Sequence, residues 1–189
     1  MATTIKGFFF DLDGTLVNTY EADFYAYRDA IEQVMGVVVE RDAFMGTNGM
    51  EMRQKLEILT PGVTPEQANA VAAGKKKFYK NHMHTTVPNE TLLAFMADMA
   101  KHYTVALVTT AKQQNAQTVL EKYGISDLFD IKVFGDSVKN AKPHPESYLK
   151  ALELSGLDAN EVLAFEDSIS GLESAHAAGI KTIHIRSFA

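Results

Sequence analysis

The sequence predicts an α/β protein with a Rossmann-like, doubly wound parallel sheet of about five strands and one helical insertion. Two observations lead to this fold class. Short runs of β-branched and aromatic residues alternate with segments of helical periodicity along most of the chain. About seventy residues separate the first of these runs from the others, and they carry helix signals rather than strand signals. Strand alternating with helix is typical of a parallel sheet whose right-handed crossovers place helices on its faces.

The sheet is predicted from five apolar runs, at residues 7–10, 104–108, 131–134, 162–165 and 181–185. Helices are predicted between them at residues 112–123, 145–154 and 169–178, and another at 90–101 leads into the second strand. Glycines follow several of these helices, as expected of left-handed C-terminal caps.

The insertion is predicted to be a small helical bundle with its own core. Asn18 and Glu21 resemble a capping box, and Thr64, Pro65 and Gln67 mark a second helix start. The predicted domains are therefore a sheet domain of residues 1–17 and 88–189 and an inserted helical domain of residues 18–87.

The most informative pair of residues is Asp11 and Asp13, which directly follow the apolar run 7–10. Ligands of open α/β sheets bind beyond the carboxyl ends of the strands. Two acids at that place repel each other and lose hydration, and a bound cation would offset both costs. The pattern indicates a divalent-metal site with one carboxylate free for chemistry, although Asp13 followed by Gly14 is also an ordinary turn signal.

Other predicted strands also end in polar groups. Thr109 and Thr110 follow the second strand, Glu166 and Asp167 close the fourth, and Lys142 lies in the loop between the third and fourth. A parallel sheet would gather these groups at one edge, where carboxylates hold Mg²⁺ and the lysine and hydroxyl groups neutralise phosphate oxygens. Taken singly, the threonines fit a β-prone strand end, the lysine fits a solvated loop charge, and the acids fit a helix N-terminus.

Composition excludes several classes of protein. The 189 residues contain no cysteine, so disulfides and thiolate sites are absent, and the net charge of −6 without a long basic stripe argues against a nucleic-acid partner. No stretch approaches the length of a membrane span, and Asp11 interrupts the first apolar run too early for a signal peptide. We therefore expect a cytoplasmic enzyme that does not bind membranes.

The order of these motifs resembles the haloacid dehalogenase-like phosphohydrolase superfamily. Residues 11–15 match its first motif, Thr109 its second, Lys142 its third, and residues 166–167 its fourth. The stretches 142–146 and 165–171 are similar to the subgroup of phosphoglycolate phosphatases and β-phosphoglucomutases, which carries a helical cap domain where this chain has its insertion.

The resemblance implies a two-step phosphoryl transfer with Mg²⁺ as cofactor. Asp11 would be the nucleophile that forms an aspartyl-phosphate, and Asp13 the general acid and base. The metal would be held by Asp11, the backbone carbonyl of Asp13 and Asp167, with Glu166 bound directly or through water. An acid at position 13 also favours a phosphate ester as substrate over the substrates of the dehalogenase and phosphonoacetaldehyde hydrolase branches.

The transferring phosphoryl group would be bound, on the same resemblance, by Thr109, Thr110 and Lys142. The cap would supply substrate contacts through Asn48 and Arg53 in and after its loop.

A third substrate contact is implied at Lys75, which could equally be a solvated charge in its lysine run. Gly49 stands where β-phosphoglucomutases carry an arginine, which weakens the mutase alternative.

The function predicted from sequence is a Mg²⁺-dependent phosphatase of a small phosphorylated metabolite, such as a sugar phosphate or phosphoglycolate. A hexose-phosphate mutase and a non-catalytic phospho-ligand-binding protein are the alternatives. The chain is expected to be a monomer or a weak homodimer.

Overall fold

The computed structural model describes residues 4–47 and 50–186. These residues form two compact units. The sheet unit contains the described residues up to Asn18 and those from Val87 onward, and the inserted unit is Thr19–Thr86.

Seven strands occur among the described residues, and five of them make the main sheet. In chain order the strands are β1 (Gly7–Phe10), β2 (Val17–Asn18), β3 (Val87–Pro88), β4 (Thr104–Val108), β5 (Ile131–Val133), β6 (Val162–Glu166) and β7 (Lys181–His184). The sheet order is β5-β4-β1-β6-β7, and all four neighbouring pairs are parallel. The predicted fold class is confirmed, and the predicted strand ends differ from the observed ones by at most one residue.

Eight α-helices accompany the strands in the described part of the chain. They are α1 (Tyr20–Met35), α2 (Arg41–Met45), α3 (Met52–Leu59), α4 (Pro65–Tyr79), α5 (Glu90–Met99), α6 (Gln113–Tyr123), α7 (Glu146–Ser155) and α8 (Ile169–Ala177). None of these helices has both the length and the apolar content needed to cross a membrane.

Alternating side chains of β1 reach the two faces of the sheet, as the period of a strand requires. Phe9 is fully buried in one core, with Tyr148 of α7 and Ala175 of α8. Phe8 meets Phe95 of α5 edge to face on the other side, with ring centroids 5.6 Å apart. Helices cover both faces of the sheet, and polar groups therefore gather at the carboxyl ends of β1, β4 and β6.

The inserted unit has its own core, made by buried residues of all four of its helices, among them Phe24, Phe44, Leu56 and Val71. The predicted helix start at Thr64 is confirmed, and it takes the form of a capping box in which the side chains of Thr64 and Gln67 each accept a hydrogen bond from the other's backbone N–H. A 3₁₀ helix, Lys80–Thr85, follows α4.

The predicted capping box at Asn18 and Glu21 is wrong. Helix α1 begins at Tyr20, after Thr19, and has no side-chain cap hydrogen bond. Asn18 is instead part of β2 and pairs antiparallel with Val87 of β3. The backbone of Asn18 is therefore committed to a strand pair whose partner is distant in sequence, and a local pattern could not reveal that.

Candidate active site

Three carboxylates meet beyond the carboxyl ends of two neighbouring strands. Asp11 directly follows β1, Glu166 is the last residue of β6, and Asp167 comes next. One oxygen from each lies within 4.8 Å of the others. The parallel pairing of β1 with β6 produces this cluster, because residues that leave paired parallel strands emerge side by side.

Lys142 joins two of these acids. Its Nζ donates hydrogen bonds to Asp11 Oδ1 at 2.7 Å, to Glu166 Oε1 at 2.5 Å and to the carbonyl oxygen of Val108 at 2.8 Å. The side chain is only 2% exposed. Lys142 is therefore an internal cation at the strand ends, and the alternative of a solvated loop charge is wrong.

Glu166 is fully buried, and its two oxygens have different surroundings. Oε1 accepts hydrogen bonds from Lys142 and from the hydroxyl of Tyr148, each at 2.5 Å. Oε2 has no hydrogen-bond partner among the described residues. A buried carboxylate oxygen without a donor is costly, so its position favours a cation or a cation-bound water beside it.

The charges of this cluster do not balance. When all four groups are ionised, the three carboxylates and the ammonium of Lys142 carry a net charge of −2. Burial raises the pKa of Asp11, Lys142 opposes that shift, and Glu166 and Asp167 add to it. Burial lowers the pKa of Lys142, but the adjacent Asp11 and Glu166 more than offset this and raise it above its usual value. One divalent cation would neutralise the cluster.

Asp13 lies in the tight turn that follows Asp11. Gly14 adopts a φ of 92°, and its N–H donates to the carbonyl oxygen of Val17 at 2.8 Å. A positive φ favours glycine, so Gly14 allows the chain to reverse just after Asp13. The half-buried Asp13 is outside the group of three clustered carboxylates, which agrees with a role for it other than as a carboxylate ligand.

The proposed phosphate-binding threonines follow β4. Thr109 is buried, and its Oγ1 accepts a hydrogen bond from the N–H of Ala111 at 3.0 Å, whereas Thr110 is exposed. Gly135 lies against this loop so closely that a Cβ there would be 2.1 Å from the carbonyl oxygen of Thr110. Because Gly135 has no side chain, the loop that follows β4 can lie directly against it.

Comparison with known proteins assigns the chain to a family. The family model of haloacid dehalogenase-like hydrolases matches residues 8–185, which include every motif described above. The chain is a haloacid dehalogenase-like hydrolase.

Several relatives of this hydrolase are phosphatases. A phosphorylated carbohydrates phosphatase of Thermotoga maritima is 33% identical over 180 residues, which are 93% of this chain and 82% of the relative. A fructose-1-phosphate phosphatase of Escherichia coli is 25% identical over 181 residues, which are 95% and 96% of the two chains. These relatives and the family identify a phosphoric monoester hydrolase.

A solved structure has the same fold. The β-phosphoglucomutase of Clostridium difficile gives a TM-score of 0.77 at 23% identity, covering 96% of this chain and 84% of the other. At that identity the likeness shows the architecture alone.

The three predicted substrate residues of the inserted unit have different surroundings. Asn48 lies outside the described residues. Arg53 is exposed on α3. Lys75 of α4 is mostly buried, and its Nζ lies 2.5 Å from Asp23 Oδ1.

Sequence reasoning missed a second lysine beside this ion pair. The side chain of Lys55 is 7% exposed, and its Nζ is 3.8 Å from Asp23 Oδ2. Burial lowers the pKa of Lys55, and Asp23 acts in the opposite direction. Its position in α3 carried no signal, because lysines of surface helices are ordinarily solvated.

Sequence reasoning also missed three side chains that hold the acids of the hydrolase in place. Thr15 Oγ1 donates to Asp167 Oδ1 at 3.1 Å, and His184 Nε2 donates to the Asp167 carbonyl oxygen at 3.1 Å. Tyr148 donates to Glu166. Thr15 lies within the first motif and could have been considered, whereas Tyr148 and His184 carry no local pattern that points to the site.

Gly171 makes room for the Glu166 carboxylate. A Cβ at position 171 would lie 2.0 Å from Glu166 Oε2 and 2.5 Å from Oε1. Gly171 is in the first turn of α8, whose N-cap Ser168 accepts a hydrogen bond from the N–H of Gly171 at 3.0 Å. Ser168 thus caps α8, and the helix and the Glu166 carboxylate fit together only without a side chain at position 171.

Gly171→Ala is therefore expected to destabilise the protein. Alanine in a helix is ordinarily about 1 kcal/mol more favourable than glycine. Here the added methyl group must displace Glu166, and overpacking of this kind costs about 1–3 kcal/mol. Urea denaturation would measure the change, with Ser170→Ala in the same turn as the control, expected within about 0.5 kcal/mol of wild type. A Gly171→Ala protein as stable as the control would show that the carboxylate can move aside without cost.

Proposed function

We propose that this hydrolase is a Mg²⁺-dependent phosphatase that removes phosphate from a small phosphorylated metabolite through an aspartyl-phosphate. The observation that carries the proposal is the cluster of Asp11, Glu166, Lys142 and the half-buried Asp167, which has three carboxylates for one ammonium. A phosphatase needs a nucleophile, a cation site and a positive group for the phosphoryl oxygens, and this cluster can supply all three.

The donor set fits a magnesium ion. Mg²⁺ prefers oxygen ligands and is held by one or two carboxylates together with water and substrate phosphate. Asp11 and Asp167 would hold it with the backbone carbonyl of Asp13, and the unpartnered Oε2 of Glu166 gives a further oxygen, direct or through water. When bound, the ion would neutralise negative charge on the phosphoryl group.

The first step is nucleophilic attack by Asp11. Because Lys142 holds Asp11 Oδ1, we assign the attack on phosphorus to Oδ2. The bond between phosphorus and the ester oxygen breaks, and Asp13 gives its proton to the departing oxygen. Lys142 and the loop that begins at Thr109 would bind the phosphoryl oxygens during the transfer.

The second step is hydrolysis of the aspartyl-phosphate. Asp13, now ionised, takes a proton from the attacking water, which forms the new bond to phosphorus while the bond to Asp11 breaks. Inorganic phosphate leaves, and both aspartates return to their starting states. The products are the dephosphorylated metabolite and phosphate.

A sugar phosphate is the substrate class that we propose. The relatives from Thermotoga maritima and Escherichia coli are named for phosphorylated carbohydrates and fructose 1-phosphate. In the inserted unit, Arg53 and Lys75 are the described residues that we propose as substrate contacts, and Asn48 remains proposed from the sequence alone. The proposal extends to action in the cytoplasm by a monomer or weak homodimer.

A phosphate-release screen tests this function. Hexose 1- and 6-phosphates, pentose phosphates, phosphoglycolate and pyrophosphate would each be incubated with the chain and Mg²⁺. We expect phosphate from at least one sugar phosphate. Interconversion of hexose 1- and 6-phosphates without phosphate release would instead establish the mutase alternative, and binding without either reaction would establish a phospho-ligand-binding protein.

Removal of the metal gives a separate prediction. EDTA should reduce phosphate release to the uncatalysed level, and excess Mg²⁺ should restore it, because the uncompensated carboxylates require a cation. The control adds EDTA already saturated with Mg²⁺, which should have no effect. Full activity in metal-free buffer would eliminate the proposed metal site.

A further inference from the structure

Tyr148 has a polar contact that the mechanism above does not use. Its side chain is fully buried in helix α7, within the same core as Phe9 and Ala151. At the end of this apolar side chain, the hydroxyl donates a hydrogen bond of 2.5 Å to Glu166 Oε1. Phenylalanine would fill the same space without this bond, so the contact calls for a reason other than packing.

The hydroxyl completes the hydrogen bonding of one carboxylate oxygen. A carboxylate offers about four lone-pair sites, two on each oxygen. On Glu166, Oε1 accepts from both Lys142 and Tyr148, whereas Oε2 has no hydrogen-bond partner in the described part of the chain. Only Oε2 is then available to a cation.

We infer that Tyr148 restricts Glu166 to ligation through a single oxygen and thereby makes the metal site selective for Mg²⁺ over Ca²⁺. Ca²⁺ takes about six to eight oxygen ligands and often binds both oxygens of a carboxylate, whereas Mg²⁺ demands a near-ideal octahedron. A glutamate with one available oxygen suits Mg²⁺, which has the smaller coordination number of the two ions. This inference rests on the metal site of the proposed function and assigns Tyr148 as a positioning residue.

Calorimetry of metal binding tests the inference. The metal-free wild-type chain and Tyr148→Phe would each be titrated with MgCl₂ and with CaCl₂ to obtain both dissociation constants. Loss of a hydrogen-bond partner of a metal ligand ordinarily changes metal affinity by about 10–100-fold. We expect the preference for Mg²⁺ over Ca²⁺ to fall by about tenfold, at the lower end of that range, because Lys142 still donates a hydrogen bond to Oε1. Tyr103→Phe is the matched control, because Tyr103 is exposed and packs against Phe8 in the same unit.

An unchanged ratio of the two dissociation constants in Tyr148→Phe would overturn the inference while leaving the phosphatase proposal intact. If the wild-type chain bound no Mg²⁺, the metal site itself would fail, and the proposed function with it. The two failures are thus distinguishable.

A measurement on the wild-type chain covers the case in which Tyr148→Phe does not fold. With tyrosine labelled at Cζ, the buried Tyr148 hydroxyl proton should give a proton resonance that persists when Mg²⁺ saturates the site. Loss of that resonance at saturation would show that the cation displaces the tyrosine from Oε1, and it would refute the proposed restriction.

Discussion

Asp11→Asn is expected to lower the rate of phosphate release by about 10⁴-fold or more, which is the scale of loss seen when a nucleophile is removed from an enzyme. The amide has nearly the shape of the carboxylate, but its oxygen is a poor nucleophile. Lys142 can still donate to the remaining oxygen, so the contacts of the cluster are largely kept. The substitution also removes one negative charge from a cluster with a net charge of −2. The folded protein should therefore be at least as stable as wild type.

Two measurements together check this prediction. Steady-state phosphate release gives the loss of activity, and thermal unfolding gives the stability. Asp98→Asn serves as the matched control, because the Asp98 side chain is 63% exposed and forms an ion pair with Lys101 on the surface. Wild-type turnover by Asp11→Asn would exclude Asp11 as the nucleophile, and a large loss of stability would show that any loss of activity reflects unfolding.

The sheet was predictable because its central strands are buried on both faces. Runs such as residues 7–10 and 104–108 are apolar without alternation, and their ends match the structure to the residue. The same argument located the acids, since a hydrophobic run that stops at a carboxylate marks the strand end where ligands bind. The prediction therefore depended on the contrast between an apolar strand and its charged end. That contrast can be read from the amino-acid sequence alone.

The contacts among the site residues were not predictable in the same way. Tyr148 reaches Glu166 across 18 positions of the chain, and Thr15 reaches Asp167 across 152. Each of these residues has an adequate local explanation, as a core aromatic or a turn residue. The members of each pair come together only when α7, β1 and β6 pack in the folded protein. The hydrophobic periodicity of the sequence carries no information about that packing.

The lysines show most clearly what the sequence alone could not predict. From the sequence, Lys142 could be a solvated charge in a loop and Lys75 a solvated member of a run of lysines. Nothing in the sequence indicated that Lys55 would be buried. The structure buries all three side chains to 15% exposure or less, each beside at least one carboxylate. A lysine is buried only when a partner compensates its charge, and that partner lies elsewhere in the chain.

Asp13→Asn is expected to reduce phosphate release most strongly for substrates with poor leaving groups. A sugar phosphate releases an alkoxide, which needs a proton as the ester bond breaks, and general acid catalysis contributes about 10²–10⁴-fold. An aryl phosphate with an acidic phenol releases a phenolate that leaves without full protonation. The first chemical step should therefore slow by that factor for the sugar phosphate and by much less for the aryl phosphate.

The first step must be measured alone, because Asp13 is also proposed to activate the water of the second step. Single-turnover cleavage with enzyme in excess reports loss of the leaving group before the aspartyl-phosphate is hydrolysed. Asp98→Asn, which should leave both rates unchanged, is again the control. In the variant, the aryl phosphate should give a rapid first release followed by slow turnover, since the asparagine cannot take a proton from water. Equal losses in the first step for both substrates would exclude Asp13 as the general acid. Its position two residues after Asp11, in the turn made by Gly14, would then indicate a role in holding the metal site through its backbone.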